Sequence, residues 1–354
     1  MSFRTLLRSP DGDAVTRDII DGQWAEPIGD AESTIGEGLW ALPGLADAHA
    51  HLAAAELDYQ PGNLTEAIER ARASLQAGVT LVLDKGWTDD TTIQVIEAVP
   101  ESKRPEIEAA ARIIANVGGH YPGFAVEVDE AGLGDAVLAE AKRGVGWVKL
   151  IGDWPRRGIG PVANFDESQL RSAVALANGV GSRIAIHTMA PEVPSMAVAA
   201  GVHSIEHGLF LDESDLDPLG ERGGMWVPTV LRCETTLAQL GEESSGGRLF
   251  SEGLQRIARL LPQAVEAGVH VLAGTDLVGS PADVAAEAVR LGAYGLSNTQ
   301  VVAAVSTAAF TSTGRSASFE VGAPANAVLF PVNPVMELAV LRHPRHVIRL
   351  GILT

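Results

Sequence analysis

A single cysteine, Cys233, occurs in 354 residues. That excludes an internal disulfide framework and any metal cluster built on thiolates alone. Lysine is scarce as well: Lys85, Lys103, Lys142 and Lys149 stand against 22 arginines, so a lysine within an apolar strand is conspicuous. No apolar run approaches the roughly 20 residues that span a bilayer; the longest are of strand length and bounded by charge. The opening stretch MSFRTLLRSPDGD has neither an apolar h-region nor a small-residue cleavage site, so a cytoplasmic location without a membrane partner is expected. Positive charge is outweighed, with 26 Lys and Arg against 45 Asp and Glu and a formal net charge of −19. Phosphate-backbone binding needs clustered cations, so nucleic acid is not an expected partner. A small-molecule substrate is, and self-association into a homo-oligomer stays open. The acidic balance serves solubility and names no substrate.

What is present is a repeated alternation. Short runs rich in Val, Ile and Leu read as parallel strands buried on both faces: Leu42–Asp47, Thr80–Asp84, Arg112–Val117, Trp147–Ile151, Arg183–His187, His203–His207, Trp226–Val230 and His270–Thr275. Amphipathic helices are predicted between several of them, at Leu64–Gln76, Asp129–Arg143, Glu167–Asn178 and Leu254–Ala267. Three times an Ala-Gly-Val phrase (Ala77-Gly78-Val79, Ala200-Gly201-Val202, Ala267-Gly268-Val269) ends a helix at glycine just before a strand. Eight such units match a (β/α)8 TIM-type barrel, usually about 250 residues long. A doubly wound open sheet is the alternative, but no Gly-rich phosphate turn follows the first strand. The two ends lack helical periodicity and carry β-like runs, Ala325–Pro331 and His346–Ile352 among them. The expectation is therefore a small β-sandwich domain formed by the two termini, residues 1–41 plus 325–354, around a catalytic barrel of residues 42–324.

The chemistry-bearing residues gather at predicted strand ends. In Pro43-Gly44-Leu45-Ala46-Asp47-Ala48-His49-Ala50-His51, residues two apart share a face of the strand, so His49 and His51 can reach one ion together. Neutral imidazole suits zinc, nickel, iron or cobalt, and Asp47 on the same face could orient a ligand. His187 closes strand 5, His207 strand 6 and Asp276 strand 8, all at carboxyl ends, the face where barrel enzymes keep their active sites. Any one of these histidines is ordinary as a core residue bonded to a backbone carbonyl; the set together points to a metal site. Lys149, within Trp147-Val148-Lys149-Leu150-Ile151, needs a partner or neutralisation if buried. Two readings fit it: an ion pair with Asp153, or carboxylation by CO2 to an anionic carbamate able to bridge two metals. His203, His270, His343 and His346 read as structural.

Together these segments resemble the amidohydrolase superfamily: PGLADAHAH, VKL, IAIH, AGVHSIEHG and AGTD fall in order along most of the chain. The likeness is nearest to imidazolonepropionase-like proteins and Xaa-Pro dipeptidases (prolidases), and Val117-Gly118-Gly119-His120 is similar to a motif of the latter. The resemblance implies two divalent metal ions, zinc being the expected one. His49, His51 and Asp276 would hold the more buried ion, His187 and His207 the second, and carboxylated Lys149 would bridge them. It further implies a metal-bridging hydroxide as nucleophile and Asp276 as general acid and base, in a hydrolase cutting a carbon–nitrogen bond of a dipeptide or N-acyl amino acid. Lactone, carbamate or urea hydrolysis on the same centre is the alternative, and a non-catalytic relative would have lost ligands that this chain retains. His120 and Tyr121 are the expected substrate contacts, with Asp153, Trp154, Arg156, Arg157 and Arg232 as further candidates in loops of that face. One departure narrows the activity: deaminases and imidazolonepropionase proper carry a glutamate three residues after the strand-5 histidine, where this chain has Ala190.

Overall fold

A computed structural model describes residues 3–54 and 60–354. Eight parallel strands in chain order form a barrel: Leu45–Ala50, Val79–Asp84, Glu106–Ala109 continued by Ile114–Asn116, Trp147–Ile151, Arg183–Thr188, Ser204–His207, Met225–Val227 and His270–Val271. The extension of the eighth strand closes it against the first. Ala48 N donates to Ala273 O, and Asp276 N to His49 O, both at 2.8 Å. Alternation sorts the side chains. Ala46, Leu81, Leu83, Trp147, Ala185, Met225, Val227 and Leu272 fill the interior, while Val82, Val148, Leu150, Ile184, Ile186 and Ile205 pack outward under the helices. Each fully buried aliphatic side chain contributes about 1.5–3 kcal/mol.

Local signals set several elements. Asn63 caps Leu64–Gln76 by accepting from Thr65 N and Glu66 N, and Asp166 with Gln169 forms a capping box ahead of Glu167–Gly179. Gly78, Gly201 and Gly268 all adopt the left-handed φ of +91°, +85° and +82° that ends a helix and turns the chain into the next strand.

Elsewhere the structure departs from the expectation. Leu42–Asp47 is two strands, because Gly44 takes φ +155° and a Cβ there would collide with Thr80 Oγ1. Leu42 pairs with Val328 in a terminal sheet, and Leu45 opens the barrel. The third strand begins at Glu106, ahead of the predicted Arg112–Val117, in a segment whose alternating glutamates mask it. Glu106 and Glu108 both meet Arg315 (2.7 Å), and Trp147 Nε1 donates to Glu108 at 2.6 Å. The helix predicted at Leu254–Ala267 is the second half of Ser245–Glu266, whose first half holds three glycines, and that predicted at Asp129–Arg143 starts at Leu133. Helices Thr91–Ala98, Val193–Ala199, Glu213–Glu221, Val230–Leu240 and Val284–Ala293 were not predicted from periodicity.

The termini build two four-stranded sheets. One orders Gln23–Ala25, Ala14–Ile20, Arg4–Arg8 and Thr34–Ile35; the other orders Ile352–Leu353, His346–Arg349, Ala327–Phe330 and Trp40–Leu42. Leu7, Trp24, Ala41, Ala327, Leu329 and Ile348 form their shared core. The barrel with a small sandwich drawn from both ends is the fold that was expected.

Candidate metal centre

The first strand carries one extra residue where its histidines lie. Asp47 pairs with Val82 but Ala50 with Asp84, three steps against two, which is a β-bulge across Ala48–His49. Bulges re-aim side chains beside active sites, and here His49 and His51 both turn into the barrel mouth. His51 Nδ1 lies 2.6 Å from Gly86 O, leaving Nε2 for a ligand. His49 Nε2 and His51 Nε2 are each 3.5 Å from Asp276 Oδ1, and these three buried residues converge closely enough to hold one cation. Asp47 is buried away from the cluster. It accepts from His49 N (3.1 Å), Thr275 N (3.1 Å) and Thr275 Oγ1 (2.6 Å), stitching strands one and eight beneath the ligands.

Three residues at the carboxyl ends of strands sit in the left-handed region: His207 (φ +63°), Thr229 (φ +44°) and Asp276 (φ +42°). For residues with a Cβ this is a strained conformation of the kind that gathers at functional sites. At His207 it has a direct consequence. Ile205 faces outward, so strict alternation would send His207 outward too; the positive φ brings it back to the mouth. There its Nδ1 lies 2.6 Å from Thr229 Oγ1, and its Nε2 lies 2.9 Å from His187 Nδ1. Two ring nitrogens so close share one proton or turn two lone pairs on one cation.

Electrostatics favours ligands in their binding form. Burial, then Lys149, pushes His49 down to about 4. Burial pushes His207 down to about 3 against the pull of Asp276, and burial, reinforced by His207 alongside, takes His187 well below its usual value. These imidazoles are neutral at pH 7, as metal ligation requires. Asp276 is buried, yet it is held well below its usual carboxylate range by the His49, His51 and His207 rings gathered on it, whose N–H dipoles act when they are neutral and whose charge adds when they are protonated, and by the Arg232 guanidinium.

Lys149 faces inward with Trp147 and Ile151. It is 2% exposed, and its Nζ has no hydrogen-bond partner among the described residues. Burial pushes the amine down to about 8. The ion pair with Asp153 does not form: Asp153 instead accepts from Met189 N (2.7 Å) and Ala190 N (2.9 Å), fastening the loop after strand five.

A cavity of about 280 Å³ opens over the four histidines, Lys149 and Asp276. His120 lines it, stacked on Phe124 at 4.6 Å between centroids and tilted on Trp154 at 4.2 Å. Tyr121 stands edge-on to both His120 and Trp154, and Trp87 lies 5.4 Å from His51. Arg232 reaches in from helix Val230–Leu240, its Nε 3.8 Å from Asp276 Oδ2. Arg156 points elsewhere, pinning Gly118 O and Asn164, and Arg157 is exposed. His203 lies at the opposite end of strand six and accepts from Ile184 N.

Sequence reasoning missed Lys85, Glu206, Trp87 and Phe124. The signal for Lys85 was available, since it continues the inward face of Leu81 and Leu83; Glu206 likewise shares its face with Ser204. Both are fully buried.

Residues 40–353 match the model of the Amidohydrolase family, and the chain belongs to that family, a hydrolase of the class acting on carbon–nitrogen bonds. A Mycobacterium tuberculosis protein described as uncharacterized is 33% identical over 363 residues, covering 98% of this chain and 93% of its own. Ochratoxinase of Aspergillus niger is 24% identical over 358 residues, covering 86% and 73%. A solved Xaa-Pro dipeptidase with methionine bound in its active site superposes with a TM-score of 0.83 at 22% identity, over 100% of both chains, and is similar in fold. The expected resemblance to the amidohydrolases is thus borne out. No helix among the described residues is long and apolar enough to cross a membrane.

Proposed function

We propose that this chain is a binuclear metal-dependent amidohydrolase that cleaves an amide-type carbon–nitrogen bond of a small molecule, such as a dipeptide or N-acyl amino acid. The observation that carries the reading is Lys149: a buried Nζ with no hydrogen-bond partner among the described residues, in the same cavity as four histidines and Asp276. That donor set fits two hard-to-borderline divalent cations, zinc first. His49, His51 and Asp276 would hold one, His187 and His207 the other, and Lys149 as its carbamate would bridge them. Cations bound there would supply Lewis acidity, activating water and polarising the scissile carbonyl. The remaining work falls to side chains on the page. Asp276, its Oδ1 turned to His49 and His51, would take the proton of the attacking water on Oδ2 and return it to the leaving nitrogen. His120 and Tyr121, with Trp154 and Phe124, would form an apolar, aromatic wall that seats the substrate and excludes bulk water. The reading takes a small molecule as substrate, with neither nucleic acid nor membrane as partner, and assumes a cytoplasmic location. Purified metal-replete protein screened against dipeptides, N-acyl amino acids, lactones, carbamates and ureas tests it. Turnover confined to the lactones, carbamates or ureas would replace the amide reading, and no turnover of any would favour a non-catalytic relative.

A further inference from the structure

Beneath the candidate metal ligands the barrel interior holds a charged pair with no role in the reading above. Lys85, just beyond strand two, and Glu206, on strand six, meet across the interior with Nζ 3.2 Å from Oε1. Ser204 Oγ donates to the same Oε1 at 2.6 Å, and the Lys85 ammonium rests 4.5 Å from the centroid of the Trp147 ring. Burying such a pair costs several kcal/mol of desolvation per ion, and well-packed apolar residues often serve stability as well or better. Filling space therefore does not explain it. The second oxygen does: Glu206 Oε2 lies in ion-pair contact with His49 Nδ1 at 2.6 Å, and among the described residues nothing else offers either atom a hydrogen bond.

A neutral histidine carries one N–H and one lone pair, and whatever meets one ring nitrogen decides the state of the other. We propose that Glu206 is a positioning residue for His49. Its carboxylate accepts the Nδ1 proton and so fixes the tautomer whose Nε2 lone pair faces Asp276 Oδ1, while Lys85 is the counter-ion that keeps Glu206 charged and aimed. The arrangement is a carboxylate–histidine–metal relay, in which the outer carboxylate orients the ring and raises its basicity. His51 is oriented differently, by the Gly86 carbonyl, so the two ligands of one cation are fixed by independent devices.

The inference rests on His49 being a metal ligand, and the experiment separates the two claims. Zinc and cobalt dissociation constants of metal-stripped protein are measured by chelator competition for wild type, His49→Ala, Glu206→Gln, Glu206→Asp and the double variant Lys85→Met/Glu206→Gln. The double variant removes the Lys85 ammonium together with its carboxylate partner, so it decides the matter if Glu206→Gln alone does not fold. The expected loss of affinity in Glu206→Gln and the double variant is about 10–100-fold, with an altered cobalt absorption spectrum. Glu206→Asp keeps the charge facing Lys85 but withdraws the carboxylate from Nδ1; it is expected to restore thermal stability and leave affinity low, a split that a purely structural role would not produce. Nitrogen-15 spectra of histidine-labelled metal-free wild type should show His49 protonated at Nδ1. A folded double variant that binds zinc within about twofold of wild type, or a wild-type His49 protonated at Nε2, overturns the proposal. If His49→Ala binds zinc as wild type does, the metal assignment itself falls; if His49→Ala loses zinc while the double variant keeps it, only the positioning role falls.

Discussion

Replacing Lys149 with alanine removes a side chain that is 2% exposed and has no hydrogen-bond partner for its Nζ among the described residues. Burial has already moved this amine from 10.5 to about 8. At about 1.4 kcal/mol per pKa unit, this shift, chiefly due to burial, offsets about 3.5 kcal/mol of the cost of baring the Nζ lone pair, so the neutral amine is about 300-fold more abundant at pH 7 than on an exposed lysine. That lone pair can attack CO2: a bond forms from Nζ to carbon, the nitrogen releases a proton to water, and a carbamate anion results. Cations held by the neighbouring histidines and Asp276 would stabilise that anion. Lys149→Ala should therefore lose about one of two zinc equivalents by elemental analysis and, at about 4 kcal/mol of lost transition-state stabilisation, about three decades of kcat/KM. Acetate or propionate should restore part of both by occupying the vacated volume. Lys149→Arg should fail without rescue, since guanidinium stays charged. Wild type equilibrated with carbon-13-labelled CO2 should show a carbamate carbon signal that the alanine variant lacks. A wild type without that signal, together with an alanine variant keeping both metal equivalents and kcat/KM within about tenfold, would refute the reasoning.

His120→Asn should lower kcat/KM with metal content unchanged, since His120 lines the cavity wall against Phe124 and Trp154; metal loss in that variant would move it into the ligand set. Gly274→Ala would bring a Cβ within 2.6 Å of His49 Cβ and 2.7 Å of Val227 Cγ1. A cost of about 1–3 kcal/mol in urea unfolding is expected, with weakened zinc binding; a variant unchanged in both would show that strand eight does not pack as closely as described. Metal-free protein should lose stability as the pH falls from about 6.5 towards 4. Unfolded histidines take up protons there, whereas burial keeps His49 neutral to about 4 and His120 and His207 to about 3, so the unfolded state binds more protons and gains. Urea midpoints between pH 7 and 4.5 check this, with a shallower slope expected in His120→Asn; a flat profile would contradict buried neutral imidazoles.

Much of this molecule follows from periods that the chain carries locally. The two-residue alternation of Trp147-Val148-Lys149-Leu150-Ile151 places Lys149 on the inner face whatever its neighbours do, and the Ala-Gly-Val phrases end helices because glycine tolerates the left-handed turn. The inward face of Leu81, Leu83 and Lys85 is equally legible in that alternation. Other features no local period encodes. His207 reaches the mouth against its strand's alternation, through a positive φ held by packing around Thr229 and His187. The bulge across Ala48–His49 exists because strand one must keep register with strand two while closing against strand eight. The third strand hid behind glutamates whose partner, Arg315, lies some 200 residues away in sequence. The pairing of Lys85 with Glu206, and of Glu206 with His49, joins strands two, six and one across the barrel interior. A local pattern states which face a side chain takes; only closure of the barrel brings opposite walls to within a hydrogen bond, and that distance decides which charges meet.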